Sequence, residues 1–178
     1  MIWATLGGVT IGLAVLIWHL VEWYPDGGLK ALRKGKKGLD TQKVIALAMD
    51  LVPFALAWCY GALGILTTAG FIAWAFDSAL WAANWLGDVA LWFGVGQSAG
   101  VTSHGDYLPL TDTGACAVFL LTVAFLAFRR KERYSTSLNR GAVAGLCLGT
   151  SSGVAGMAAV PLAQAVNWLG ETVYGAVA

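Results

Sequence analysis

The chain has 178 residues, 58% of them hydrophobic and 12% charged, with a formal net charge of +1. Soluble globular domains carry about a quarter of their residues as charges, so this composition excludes an ordinary water-soluble fold. The 9 tryptophans exclude a disordered chain, because that much aromatic surface demands burial or an interface, and the near-balanced charge by itself says nothing about nucleic acid, which is not an expected partner.

An integral membrane protein remains, and a spanning helix needs about 20 mostly apolar residues. Residues 2–24 form the first such stretch, closed by Trp23, Tyr24 and the helix-stopping run Pro25-Asp26-Gly27-Gly28. Without a basic leader or a cleavage site, this stretch reads as a retained span rather than a signal peptide. His19 and Glu22 lie three residues apart near its inner end, where a hydrogen-bonded interfacial pair is expected and a proton relay is the functional alternative.

Every basic residue falls in one of two clusters: Lys30, Arg33, Lys34, Lys36, Lys37 and Lys43, then Arg129, Arg130, Lys131, Arg133 and Arg140. Short loops rich in Lys and Arg stay in the cytoplasm, so an even number of spans separates the two. Their tips, Lys30 to Lys37 and Arg129 to Arg133, are expected to attract anionic lipid headgroups.

The second span covers residues 44–66 behind the candidate caps Asp40 and Thr41. Asp50 stands three residues before Pro53, whose missing donor frees a carbonyl one turn earlier. The carboxylate reads either as an ion or proton site or as an interfacial group paired with a basic loop.

Residues 71–95 are apolar enough to cross, but a fifth span would put the basic clusters on opposite sides. Trp74, Trp81, Trp85 and Trp92 recur at spacings of 7, 4 and 7, beside a polar stripe of Asp77, Asn84 and Asp88. That pattern fits an amphipathic helix on the outer surface. The linker, residues 96–107, contains Gly96, Gly100 and His104 but no phosphate-binding fingerprint and no metal-ligand spacing, so neither metal nor cofactor is expected.

Residues 108–128 and 141–163 supply the third and fourth spans. In the fourth, Gly141, Gly145, Gly149 and Gly153 recur every four residues, a strip that lets another backbone approach closely. Its partner is another span of the same chain or an identical subunit. Cys59, Cys116 and Cys147 form no C-x-x-C pair and read as small apolar residues.

Asn84-Trp85-Leu86-Gly87-Asp88 recurs as Asn167-Trp168-Leu169-Gly170-Glu171, and the Cys59, Gly61 pair recurs as Cys147, Gly149. The expected organisation is therefore all-α: four transmembrane helices in two hairpins with Trp-rich amphipathic helices on the outer face, as an internal duplication. Residues 1–95 form the first repeat, with spans 2–24 and 44–66, inner loop 25–43 and interfacial helix 71–95. Residues 108–178 form the second, with spans 108–128 and 141–163, inner loop 129–140 and outer tail 164–178.

Both termini are expected outside a bacterial plasma membrane. No nucleophile, base and orienting partner assemble on one helix face. The expected function is a non-enzymatic subunit that assembles with other membrane proteins or itself through its Gly-rich and Trp-rich faces. The alternative is a homo-oligomeric pore, holin-like protein or small transporter with Asp50 near the ion path.

Overall fold

The computed structural model describes residues 4–23, 41–67, 70–96, 100, 110–130, 132–149, 151 and 159–177, and among them there is no β-sheet. Six helices follow one another among these residues: α1 (Leu6–Trp23), α2 (Thr41–Gly64), α3 (Gly70–Val95), α4 (Asp112–Arg129), α5 (Glu132–Gly149) and α6 (Ala159–Val177).

Local chemistry sets several ends. Thr5 precedes α1 and its Oγ1 accepts from Gly8 N at 3.2 Å; Thr111 caps α4 with the same bond from Gly114 N at 3.2 Å. Both satisfy a backbone donor that the first turn of a helix leaves open. Helix α3 stops at Gly96, whose φ of +68° is the left-handed conformation glycine adopts without a Cβ penalty, and whose N–H donates to Trp92 O.

The fourth expected span, residues 141–163, is not one helix. Helix α5 starts nine residues earlier in a polar segment and ends at Gly149, and α6 begins only at Ala159. The Ser151 backbone N–H and Oγ both bond to Leu148 O, at 3.1 and 2.7 Å, closing the last turn of α5. A Ser hydroxyl that competes locally for the backbone favours helix ends over interiors.

The largest helix contact joins α2 to α5. A Cβ at Gly141 would come within 2.9 Å of Ala57 Cβ, one at Gly145 within 2.8 Å of the Trp58 carbonyl carbon, and one at Gly149 within 2.9 Å of Ala62 Cα. These partners ascend together, so the two helices run parallel. Gly61 returns the contact from α2, where a Cβ would lie 2.8 Å from Leu146 N. The glycine strip is thus occupied within the chain itself; Gly153 lies outside the described residues.

Helix α1 runs antiparallel to α5, with Gly12 against Cys147 and Leu148 and Glu22 at Arg140. Helix α4 runs antiparallel to α2: Val118 and Leu63 share one apolar cluster, while Tyr60 meets Thr122 and Phe125. The C-terminal ends of α1 and α4, from which the two basic segments leave, therefore point the same way.

Helix α3 bridges the opposite end. Phe76 packs at Gly64 and Tyr60 near the end of α2, and residues Asn84 to Asp88 reach the first turn of α1. Helix α6 does the same beside α4, with Ala159, Ala163 and Val166 joining Leu63, Leu66 and Val118.

Among the described residues two helices, α1 and α4, are long and apolar enough to cross a membrane; the bundle buries only 22% of the first and 11% of the second. A core helix of a soluble protein would be mostly buried.

Replacing Gly145 by Leu should cost about 3 kcal/mol, because the intruding atoms meet backbone that cannot rotate away. Gly94→Ala, at a position with open space around it, should instead stabilise by about 0.5–1 kcal/mol through helix propensity. Thermal unfolding in mild detergent reads both; equal midpoints for the two variants would contradict the packing described.

Candidate functional site

The repeated five-residue motif has a direct structural role. Asn84 Oδ1 accepts from Thr5 N at 3.3 Å, and Asn167 Oδ1 accepts from Thr111 N and Thr111 Oγ1, each at 3.1 Å. Each Asn closes over a glycine three residues after that threonine: Cβ atoms at Gly8 and Gly114 would lie 3.1 and 3.4 Å from the respective Asn Cγ. Three residues after each Asn comes the motif glycine. A Cβ on Gly87 would stand 2.8 Å from Gly7 Cα, and one on Gly170 2.7 Å from the Thr113 carbonyl.

So both junctions use the same parts at the same spacing. A Thr-x-x-Gly helix start is clasped by an Asn-x-x-Gly helix face. The start was missed in the sequence, although Thr5-Leu6-Gly7-Gly8 and Thr111-Asp112-Thr113-Gly114 carry the pattern in plain view. An N-cap threonine followed by glycine is a recognisable helix-start signal.

The polar stripe of α3 lies partly against the bundle: Asn84 is buried and Asp88 half-buried, its Oδ1 enclosed beside Gly7 at the start of α1, while Asp77 is half-buried. A carboxylate there meets the positive end of the helix dipole. The tryptophans occupy the outward face instead: Trp74, Trp81, Trp85 and Trp92 are all about 60% exposed, and Trp168 of the second motif is 65% exposed. Glu171, the acid of the second motif, is exposed.

The ionisable residues of the expected ion or proton site, His19, Glu22 and Asp50, differ in burial and in partners. His19 is buried and stacks on Phe54 with ring centroids 4.2 Å apart, and neither of its ring nitrogens has a hydrogen-bond partner. The expected His19 to Glu22 hydrogen bond is absent because Glu22 is taken by other donors. Trp18 Nε1 donates to its Oε1, and Arg140 pairs with both oxygens, one contact being 3.3 Å, while its guanidinium stands 5.9 Å from the Trp18 ring centroid. A guanidinium fork outcompetes a single imidazole N–H for a carboxylate. Asp50 sits exposed on α2.

Arg129 and Arg130 are exposed at the end of α4. Lys30, Arg33, Lys34, Lys36, Lys37, Lys131 and the linker residue His104 lie outside the described residues, as does the side chain of Arg133. Among the described residues, no group of three His, Cys, Asp or Glu side chains is placed to hold a metal ion. Cys147 is buried, Cys59 half-buried and Cys116 exposed, all free thiols.

An apolar groove of about 430 Å³ lies between α2, α4 and α5. Its wall runs from Met49 to Leu63 along α2 and from Leu121 to Phe128 along α4, with Tyr134 and Leu138 from α5. No protein-family model, no curated protein and no solved structure matches the chain.

Within the motif, Asn84→Ala and Asn167→Ala should each cost about 1 kcal/mol, since a partly buried backbone donor loses its acceptor. Trp85→Ala should change stability by less than about 0.5 kcal/mol, because that side chain faces away from the bundle. Chemical denaturation in detergent compares the three; a larger loss for the tryptophan would invert the assignment of faces.

Proposed function

We propose that this chain is a non-enzymatic subunit of a larger membrane complex, with the outward tryptophan faces of α3 and α6 as its docking surface. The supporting observation is the exposed row Trp74, Trp81, Trp85 and Trp92 on a helix whose other face, Leu80, Ala83, Asn84 and Gly87, is already seated. Contiguous exposed apolar surface of this kind marks a lipid or protein interface. The glycine strip cannot serve as that interface, since α2 fills it.

In this reading α1 and α4 cross the bilayer, α2 and α5 are packed between them as the other two membrane helices with α5 entering the apolar layer from Gly141, and α3 and α6 lie across their outer ends. The common direction of the two basic exits supports cytoplasmic placement of both. The polar start of α5 is accommodated near the inner interface, where Arg140 pairs with Glu22. We further read the chain as two copies of a three-helix unit. The matched junctions favour this, and the connector between the first two helices of each unit differs: residues 24–40 in one and 130–131 in the other. That difference accounts for most of the shift between corresponding positions, from 106 residues at Thr5 and Thr111 to 83 at Asn84 and Asn167.

Extracted in native lipid, the protein should have a mass several times that of one chain. The double variant Trp81→Ala, Trp85→Ala should reduce it to a single chain with helicity unchanged, and a single-chain mass for the unaltered protein would overturn the proposal. In a background without native cysteines, His104→Cys should react with an impermeant maleimide from outside and Lys36→Cys only from inside; label reaching position 36 from outside would refute the topology. Asp50→Asn should leave ion flux in reconstituted vesicles unchanged, and altered flux would move the function to transport.

A further inference from the structure

We propose that the groove between α2, α4 and α5 holds one acyl chain of an anionic glycerophospholipid, with its phosphate on Arg129 and Arg130. This rests on reading the chain as a membrane protein, but it adds a defined ligand site to that reading.

The first argument is shape. The groove follows α2 from Met49 to Leu63, roughly 21 Å at the rise of an α-helix, so it suits a long, narrow ligand. Its volume of about 430 Å³ lies in the range of small-molecule sites. Close-packed helical interiors leave few voids larger than a water molecule, and an apolar channel of this size loses dispersion contacts along its whole wall unless hydrocarbon fills it.

The second argument is the chemistry of the wall. Apart from two tyrosines the lining is apolar, and Tyr60 gives its hydroxyl proton to Thr122 Oγ1 at 3.1 Å. The middle of the groove therefore offers nothing to a polar ligand. A hydrocarbon tail fits without leaving a buried donor or acceptor unpaired.

The third argument is the charge at one end. Phe128 and Tyr134 bound the groove where α4 passes into α5. Arg129 and Arg130 follow Phe128 directly, and both are exposed. Guanidinium groups bind phosphate oxygens bidentately, and these two follow the residue that bounds one end of the slot. A zwitterionic headgroup brings the same phosphate with a cation beside it that the two arginines repel, so an anionic headgroup gains more from them.

The test uses the full chain, purified from membranes in mild detergent and offered equal amounts of phosphatidylglycerol and phosphatidylcholine. Native mass spectrometry should show one phosphatidylglycerol per chain, preferred about tenfold or more. Arg129→Gln with Arg130→Gln should bring the preference below about twofold. Ala124→Trp, which fills the groove and leaves the charge unchanged, should abolish retention of both lipids. Leu121→Trp is the second blocking variant, used if circular dichroism shows that Ala124→Trp has lost its helices.

Retention that survives both blocking variants would mean headgroup attraction without a groove, and would overturn the proposal. So would equal retention of the two lipids, or a polyprenyl phosphate co-purifying in place of phospholipid. Recovery of the protein without detergent would sink the membrane reading itself, a result separable from loss of lipid by a protein that still requires detergent.

Discussion

The contact on which the rest depends is the approach of two backbones, α2 and α5, along Gly141, Gly145 and Gly149. In lipid, where side chains gain little by leaving one apolar medium for another, helices associate through close packing. A glycine every four residues removes the side chains from one strip of α5 and lets Phe54, Trp58 and Ala62 settle against its main chain. This pair is the axis of the molecule. Helix α1 packs on α5 through Gly12, α4 packs on α2 through Tyr60 and Leu63, and both run against their partners.

Direction along that axis organises the remaining chemistry. Because α1 and α4 end at the same side, the basic segments leave together, while the helix starts at the other side are closed by α3 and α6. Each closure is polar at its centre and apolar outside. An Asn amide oxygen takes the backbone N–H of the cap threonine, and a glycine three residues on removes the atoms that would hold the helices apart. Two weak devices, an N-cap worth about 1 kcal/mol and a partly buried hydrogen bond of similar worth, become specific because both demand the same register. The tryptophan inside the same motif contributes nothing to closure and remains available outside.

The all-helical class was legible in the sequence because apolar runs, turn residues and clustered charge obey one-dimensional rules. The four-residue glycine spacing revealed a packing strip, yet the residue opposite, Trp58, gives no local sign of its partner. The Asn-Trp-Leu-Gly-acid repeat was visible, whereas its use was not: periodicity put Asn84 beside the tryptophans on a polar stripe without saying which face would be covered. His19 and Glu22 were paired by spacing, and the structure separated them because Arg140, 118 positions along the chain from Glu22, supplies a better donor. The break between α5 and α6 escaped because Thr150, Ser151 and Ser152 are compatible with an apolar helix; only the bond from Ser151 to Leu148 marks the end. The α2, α4 and α5 groove had no linear signature at all, since its wall is assembled from three distant segments.

The seam between α2 and α5 joins the first half of the molecule to the second by contact alone. None of the contacts described along this seam involves the stretch from Gly96 to Leu110, where Gly100 O accepts the Leu6 N–H at 2.8 Å, and the covalent connection raises the effective concentration of the two halves. Chains severed in that stretch retain complementary faces, and separately synthesised fragments have what they need to find each other and rebuild the bundle. By the same logic, a shortened tether would divert each half to a neighbour and turn an intramolecular fit into exchange between molecules.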